Sequence, residues 1–590
     1  MSNDRVLPIN DTTGTITFTV LIDGNEAPNT LEFDTLITNK EVNRIPYARL
    51  IIKDGSAASE DFEVSNQDIL IPGKKIEVQA GYDSKNKTLF KGIIIKHSIK
   101  IRENKGSMLY VDCRDEAVKL TIGRKSGYFK DMKDSDVIEK IISAYGLKKS
   151  VAATKLKHKE LVQYYCSDWD FILSRAEMNG MIVIANDGEV KVSSPSINSA
   201  SKLTLIYGAT LHEFEAEIDA RHQYKNVKSS SWDSKTQKVL EKTGSSPASN
   251  AMGNLSESKL ADVIGLSDFQ LQHGGKVIDQ ELQAWADAKL IKCHLAKVVG
   301  RAKIEGFPEI FPGDMVEFQG VGNRFNGKAF ITGVRQEMIE GTWYTQLQFG
   351  HSPEWFYNEY ETMDRSASGL LPGINGLQVG TVNKLGDDPD GEDRIQVVLP
   401  LLDESAKGIW ARLASLDAGQ ERGWVFRPEI GDEVIVGFIN DDPRDAIVLG
   451  MLHSSKLPAP VPPTDDNHEK GLVSRSKMRI WLDDDKKIIT LDTPGGNKIE
   501  LSEDGKSITL EDQNSNKIVM NDSGIEINSP KDIKITATGA IEAKATGDIK
   551  LEGTNVEAKA NAEFKAEGSA GAKLTTSAIA EIKGSLVKIN

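Results

Sequence analysis

Few stretches of this sequence combine residue types and spacings that do chemistry. GNRFNGKA (322–329) comes closest, one position short of the phosphate-binding pattern GxxxxGK[ST]. That loop needs a hydroxyl at its last position for Mg²⁺ and a helix behind it whose N-terminus meets the phosphates. Here the last position is Ala329 and the following AFITGVRQE alternates as a strand does, so a hairpin turn is expected. The nine histidines (97, 158, 212, 222, 273, 294, 351, 453 and 468) form neither HExxH nor HxH with a carboxylate partner. Cys293 and His294 are adjacent and poorly placed to share one ion, so packing is the expected role. Cys113, Cys166 and Cys293 lie far apart, odd in number and without CxxC, which argues against a disulfide framework or a zinc site. No GxSxG nucleophile elbow occurs. The acidic run DDPDGED (387–393) reads as a solvated turn. A glycosidase carboxylate pair is defined by spatial separation and is not readable here. His468 beside Glu469 would suit a lytic centre, but no room for such a domain exists between the segments on either side. No catalytic, cofactor or metal site is expected, and the chain is not expected to be an enzyme.

The elements around these residues say more. The 590 residues suggest about four domains. With 72 Lys plus Arg against 87 Asp plus Glu, the net charge of -15 disfavours nucleic acid and anionic membrane as partners. The polar start, MSNDRVLPIN, is no secretory signal, and apolar runs such as 434–439 are strand-length. Synthesis in the cytoplasm is expected, with any export carried out by other machinery.

Up to about residue 365, period-two runs such as ILIPGKKIEVQAGYD (69–83) and LFKGIIIKHSIKI (89–101) predict strands. Two helices are predicted: DSDVIEKIISAYGL (134–147), capped by Asp134 or Ser135, and SDWDFILSRAEMNG (167–180), capped by Ser167 or Asp168. The Ser-, Lys- and Gly-rich segment 229–275 is expected to be an exposed loop or insertion. From about 375 to 455, five short strands broken by Gly and Pro suit a small closed barrel of the OB type. The Pro-rich LPAPVPPTDD (457–466) should be an extended, stiff linker.

The strongest pattern begins at residue 524. Apolar pairs start at Ile525, Ile533, Ile541, Ile549, Val556, Phe564 and Ala572, at steps of 8, 8, 8, 7, 8 and 8. Ile499/Leu501, Ile508/Leu510 and Ile518/Met520 are looser forerunners with longer turns. Within each octad the x-apolar-x-apolar-x spacing puts both side chains on one strand face, and the remainder is turn chemistry. A strand so short buries little by itself. Three chains wound together would triple the apolar content and fill a continuous core. An α-helix is the alternative that Ala, Lys and Glu invite, but an eight-residue step fits neither helical period, and Gly recurs through the run. The nonapeptide repeats of a calcium-binding β-roll are absent. The expected core of the interwound prism is Ile525, Ile527, Ile533, Ile535, Ile541, Ile549, Leu551, Val556, Phe564 and Leu574. From Lys498 onward there are twelve Lys, no Arg and fifteen Asp or Glu, the composition of a mixed-charge shaft.

These motifs resemble the VgrG (valine-glycine repeat) spike family of contractile injection systems. NRIPYARLIIKDG (43–55), IPGKKIEVQAGY with LFKGII (71–94) and DCRDEAVKLT (112–121) resemble its hub strands. QYYCSDWDFILSRAEMNG (163–180) is similar to its hub helix start, and 311–350 to the hub's closing strands. RPEIGDEVIVGFINDDPRDAIVLGML (427–452) is close to the family's barrel signature, with Asp441 for the usual Gly and Ala446 for the second Pro. The resemblance implies a mainly β chain with some α: a phage-tail-hub-like domain with two tube-like subdomains at 1–365, an OB-fold at 366–456, the linker at 457–470 and a triple-stranded β-helix needle at 471–590. It implies a homotrimer that caps a hexameric inner tube, meets baseplate proteins and is driven through a target envelope when a sheath contracts. A PAAR-type tip protein would sit against Leu586, Val587, Ile589 and Asn590. With no toxin domain after the last octad, effectors would travel as separate cargo. A needle-borne cell-wall hydrolase and a trimeric receptor-binding fibre are the rival readings. The absence of aromatic residues beyond Phe564 speaks against the fibre.

Overall fold

A computed structural model describes residues 14–103, 106–245 and 252–589. The chain is mainly β and divides into two compact units. The first comprises residues up to 378 with 409–412 and 436–448; the second comprises 379–408, 413–435 and everything from 449.

Most of the first unit is built on one thirteen-stranded sheet. Its N-terminal half runs through Ile16–Ile22, Lys75–Tyr82, Lys87–Arg102, Gly106–Arg114, Tyr47–Lys53 and Phe33–Glu41. It continues through Gly327–Ile339, Thr342–Phe349, Val298–Glu305 and Glu213–Ile218. The halves join where Gly327–Ile339 pairs antiparallel with Phe33–Glu41, Ile339 opposite Thr35. Alternation along the strands gives each half its own core. One gathers Leu36, Leu50, Val78, Phe90 and Leu109; the other gathers Leu205, Phe318, Ile331, Leu347 and Phe349. Trp343 belongs to the first core and packs so closely on Gly306 that a Cβ there would lie 1.9 Å from the indole.

A smaller lobe carries the helices α1 (Asp134–Ser143) and α2 (Asp168–Met178) over a third core of Ile138, Ile142, Trp169, Ile172 and Val190. Ser167 caps α2 by accepting from the Asp170 N–H, as expected. α1 starts one residue earlier than its predicted caps. Lys133 is its N-cap residue, and the Asp136 carboxylate accepts the Lys133 N–H. Asp134 is engaged elsewhere: its buried carboxylate accepts from Arg175 at 2.6 Å and from His158 and Asn179 at 3.0 Å each. Burial pushes that carboxyl up, but the Arg175 bond and charge, then the Asn179 and His158 bonds, outweigh it and hold it below its ordinary value.

Segment 229–275 corrects the expectation of an exposed loop. Asn226–Asp233, Lys238–Thr243 and Asp268–His273 form a three-stranded sheet, with α3 (Glu257–Ile264) inserted before the last strand. Residues 246–251 lie outside the described chain. The segment reads as polar because its inward positions include Ser229 and Ser231, both buried. Their hydroxyls satisfy the carbonyls of Leu282 and Val277, around helix α4 (Asp279–Leu295). A serine whose hydroxyl finds a partner is buried at little cost.

The near-phosphate loop behaves as a turn. Residues 320–326 connect Met315–Gln319 to Gly327–Ile339, which pair antiparallel. Strands Gln378–Lys384, Ile395–Val398, Ile409–Leu413, Ala446–Met451 and Glu433–Phe438 close the expected five-stranded barrel.

Candidate functional site: the apolar face of the C-terminal sheet

Seven short strands, Glu469–Val473, Arg479–Asp483, Ile488–Asp492, Lys498–Ser502, Ser507–Glu511, Lys517–Asn521 and Gly524–Asn528, make an antiparallel meander in sequence order. The turns between them set the register with residues in the left-handed region: Lys477, Lys487, Gly496, Lys506 and Ser515. Arg479 faces Asp492 across the first turns and binds it at two points, 2.9 and 2.6 Å. Gly471 is required where it stands, since a Cβ would lie 2.3 Å from the Trp481 ring.

That register sorts the side chains completely. Ile480 faces Leu491, which faces Ile499, then Leu510, Ile518 and Ile527. Beside this row runs a second: Leu482, Ile489, Leu501, Ile508, Met520 and Ile525. Both rows share one face. The other face holds Thr490, Glu500, Thr509 and Val519 in the corresponding row. Within a lone chain the apolar face is the more open one, with Leu501 at 41% exposure, while Thr490, Glu500 and Thr509 are only partly exposed. A globular protein puts its apolar face inward; here both rows stay open to solvent among the described residues.

Beyond Asn528 the chain changes character. From 529 to 589 it runs without assigned strands, and among the described residues none of its backbone groups bonds to another within the chain. Bends fall at 538, 546, 553, 561, 569 and 577, at the octad step with its single interval of seven. Of the expected core residues, the structure brings Ile525 and Ile527 into the apolar rows of the meander. Ile533, Ile535, Ile541, Ile549, Leu551, Val556, Phe564 and Leu574 lie exposed on the extended run. Leu586, Val587 and Ile589 are likewise exposed at its end, and Asn590 lies outside the described residues.

Sequence reasoning missed the first two rungs. RIWLD (479–483) and IITLD (488–492) carry the same x-apolar-x-apolar-x signature as KIELS, but turns of irregular length hid the period. Extended backbone with unpaired N–H and C=O groups is a template for another strand. Together with a two-row apolar face, the arrangement offers both open backbone groups and apolar surface for further pairing.

Elsewhere the acidic loop and Cys293 offer no open chemistry. In the acidic loop, Asp388 accepts the backbone N–H groups of Asp390, Glu392 and Arg394. It also takes the Arg394 guanidinium at 2.6 Å, a bond that comes first among those holding its carboxyl far below its usual range. Burial drives the Cys293 thiol up to about 11, away from the thiolate that metal binding or nucleophilic attack requires.

The family model of the Alg8 N-terminal domain matches residues 12–340. The type VI secretion system/phage-baseplate injector OB domain matches 378–453, and the phage baseplate V C-terminal trimerisation domain matches 488–562. Among solved structures, the tail protein from Neisseria meningitidis MC58 aligns at a TM-score of 0.43 with 14% identity, over 58% of this chain and 98% of its own. The E. coli c3393 protein, described as a component of the type VI secretion system, gives 0.36 and 12%, over 73% of this chain and 99% of its own. A chain of the Francisella PdpA-VgrG complex gives 0.39 and 9%, over 88% of each.

Proposed function

The chain belongs to the Alg8 N-terminal domain family and carries the injector OB domain and baseplate trimerisation domain of a VgrG-type spike; from that premise we propose that three copies form the central spike of a contractile injection system. The role is structural. The hub caps a hexameric inner tube and meets baseplate proteins. The interwound C-terminal segments form a needle that is driven through the target envelope on sheath contraction. A PAAR-type tip protein sits on Leu586, Val587 and Ile589, and effectors are carried at that end. The chain is made in the cytoplasm and leaves it as part of the apparatus.

The observation that carries this reading is the run 529–589, extended, bent at each octad and, among the described residues, without a backbone-to-backbone partner. A shaft that transmits force needs stiffness, and interwound strands supply it because every edge is paired by a neighbour. The inward positions of the needle are assigned to Ile533, Ile535, Ile541, Ile549, Leu551, Val556, Phe564 and Leu574, continuing the rows that start at Ile480 and Leu482.

Light scattering tests the assembly. Full-length protein is expected at three times the 64.7 kDa chain mass, and a version ending at residue 465 is expected to dissociate far more readily. A monomeric full-length chain would overturn the interwound needle. Pull-down of a tip protein that is abolished by Val587→Asp would support the tip contact; retention by that variant would remove it.

A further inference from the structure

The loop 414–432, between barrel strands Ile409–Leu413 and Glu433–Phe438, exposes five large apolar side chains: Leu416, Trp424, Val425, Phe426 and Ile430. Trp424 remains 54% and Phe426 48% exposed, although their rings lie 5.5 Å apart. A contiguous aromatic patch of this kind marks an interaction surface.

The loop is not a floppy excursion. Ala418–Gly419 pairs with Arg422–Gly423 in a small hairpin. The Trp424 N–H donates to the Asp417 carbonyl at 2.9 Å. The Ser415 hydroxyl stands 3.1 Å from the Asp417 carbonyl and 2.8 Å from that of Trp424. The patch is therefore pre-organised, and a partner meets rings already held outward.

Charge identifies the kind of partner. Every cation of the loop is neutralised within the chain, Arg422 by Asp417 and Arg427 by Asp393, and Glu429 is held by Arg475; the charges of the loop that have no ion pair, Glu421 and Asp432, are both acidic. Among the described residues of the loop no cation is left without a partner to draw an anionic surface or nucleic acid, so the complement to the rings is apolar. The last of these pairs also gives the location. Arg475 lies in the turn before Arg479–Asp483, where the apolar rows of the C-terminal sheet begin at Ile480 and Leu482. The aromatic patch is tethered to the start of the face that neighbouring copies cover.

We propose that loop 414–432 is an inter-protomer clasp, with Trp424 and Phe426 seated on the adjacent copy of this chain. This rests on the trimer reading above. In a threefold ring the contact is heterologous, each clasp gripping the next copy on a different patch from its own. The clasp would fix the rotational phase of the three chains before they interwind.

The test uses full-length protein assembled from a mixture of ¹⁴N- and ¹⁵N-labelled chains. Val425→p-benzoylphenylalanine is irradiated, and adducts are mapped by mass spectrometry. Asp390→p-benzoylphenylalanine, on the acidic loop, serves as the control. Position 425 is expected to give mixed-isotope adducts between copies, and position 390 few. Adducts confined to single chains within an intact trimer would overturn the clasp and leave the trimer standing. A monomer by light scattering would overturn both. The double variant Trp424→Ala/Phe426→Ala should dissociate at lower denaturant concentration than the wild type; an unchanged midpoint would count against the clasp.

Discussion

A charge placed on the apolar face of the C-terminal sheet gives the most direct trial of the trimer. Leu501 faces Ile489 on one side and Ile508 on the other, and 41% of its surface is exposed in a single chain. Fully burying a leucine contributes about 1.5–3 kcal/mol. Covering the exposed share is therefore worth roughly 0.6–1.2 kcal/mol per chain, or about 2–4 kcal/mol per trimer, all of it lost in Leu501→Asp. The larger cost is desolvation: three carboxylates would meet in a dry interior at several kcal/mol each, with like charge on every neighbour. The total is on the order of 10 kcal/mol or more per assembly, enough to abolish the trimer at micromolar concentration. The control is Thr509→Lys, which places a charge on the opposite face beside Glu500. Thr509→Lys should run at the wild-type mass in size-exclusion light scattering, and Leu501→Asp as monomer or aggregate. If Leu501→Asp assembles and resists denaturant like the wild type, the apolar face is not the interface, and the register argument fails.

Three further outcomes concern the hub. Burial depresses His351 to about 4, with the Lys292 charge adding to the effect. A histidine with its folded value below the unfolded 6.5 stabilises fully above 6.5 and progressively less as pH falls toward 4, by about 3 kcal/mol in all. The urea midpoint of the hub should therefore drop between pH 7 and 5, and His351→Gln should flatten that slope; an identical slope would refute the assignment. Asp134→Ala would leave Arg175 buried without its main partner and should cost about 3–5 kcal/mol, read as a lower unfolding midpoint. Below pH 4 the difference between wild type and Asp134→Ala should shrink, because protonation removes the carboxylate's advantage as pH falls through its depressed value. Gly306→Ala would push on Trp343, whose carbonyl also takes the Gly306 N–H at 2.9 Å, and should cost about 1–3 kcal/mol in thermal melts.

The amino-acid order alone determined whatever repeats locally. The octad step of the C-terminal run, the alternation that gives each rung an apolar face, the short strands of the barrel and the α2 cap at Ser167 all follow from spacing over a few residues. Local interactions write such features directly into neighbouring positions. The motifs of the hub and barrel pointed correctly to a VgrG-type spike for the same reason: they are turns and strand starts with fixed offsets.

Tertiary structure decided what depends on distant partners. Segment 229–275 looked like a loop because its inward serines are polar, and only α4, packed over them, shows that they are buried and satisfied. Asp134 was expected to cap a helix, yet Arg175, brought in from α2, claims its carboxylate. No local spacing encodes that pairing. The rungs at Ile480 and Ile489 escaped the repeat because their turns differ in length, and strand pairing restored them to the rows. The stretch GWVFRPEIGDEVIVGFI (423–439) reads as one barrel strand, yet the strand begins only at Glu433, and Trp424 and Phe426 stand in a loop held by its own hairpin and salt bridges. Periodicity specifies which face of a strand is apolar; which surface covers that face is set by contacts between residues far apart, or on different chains.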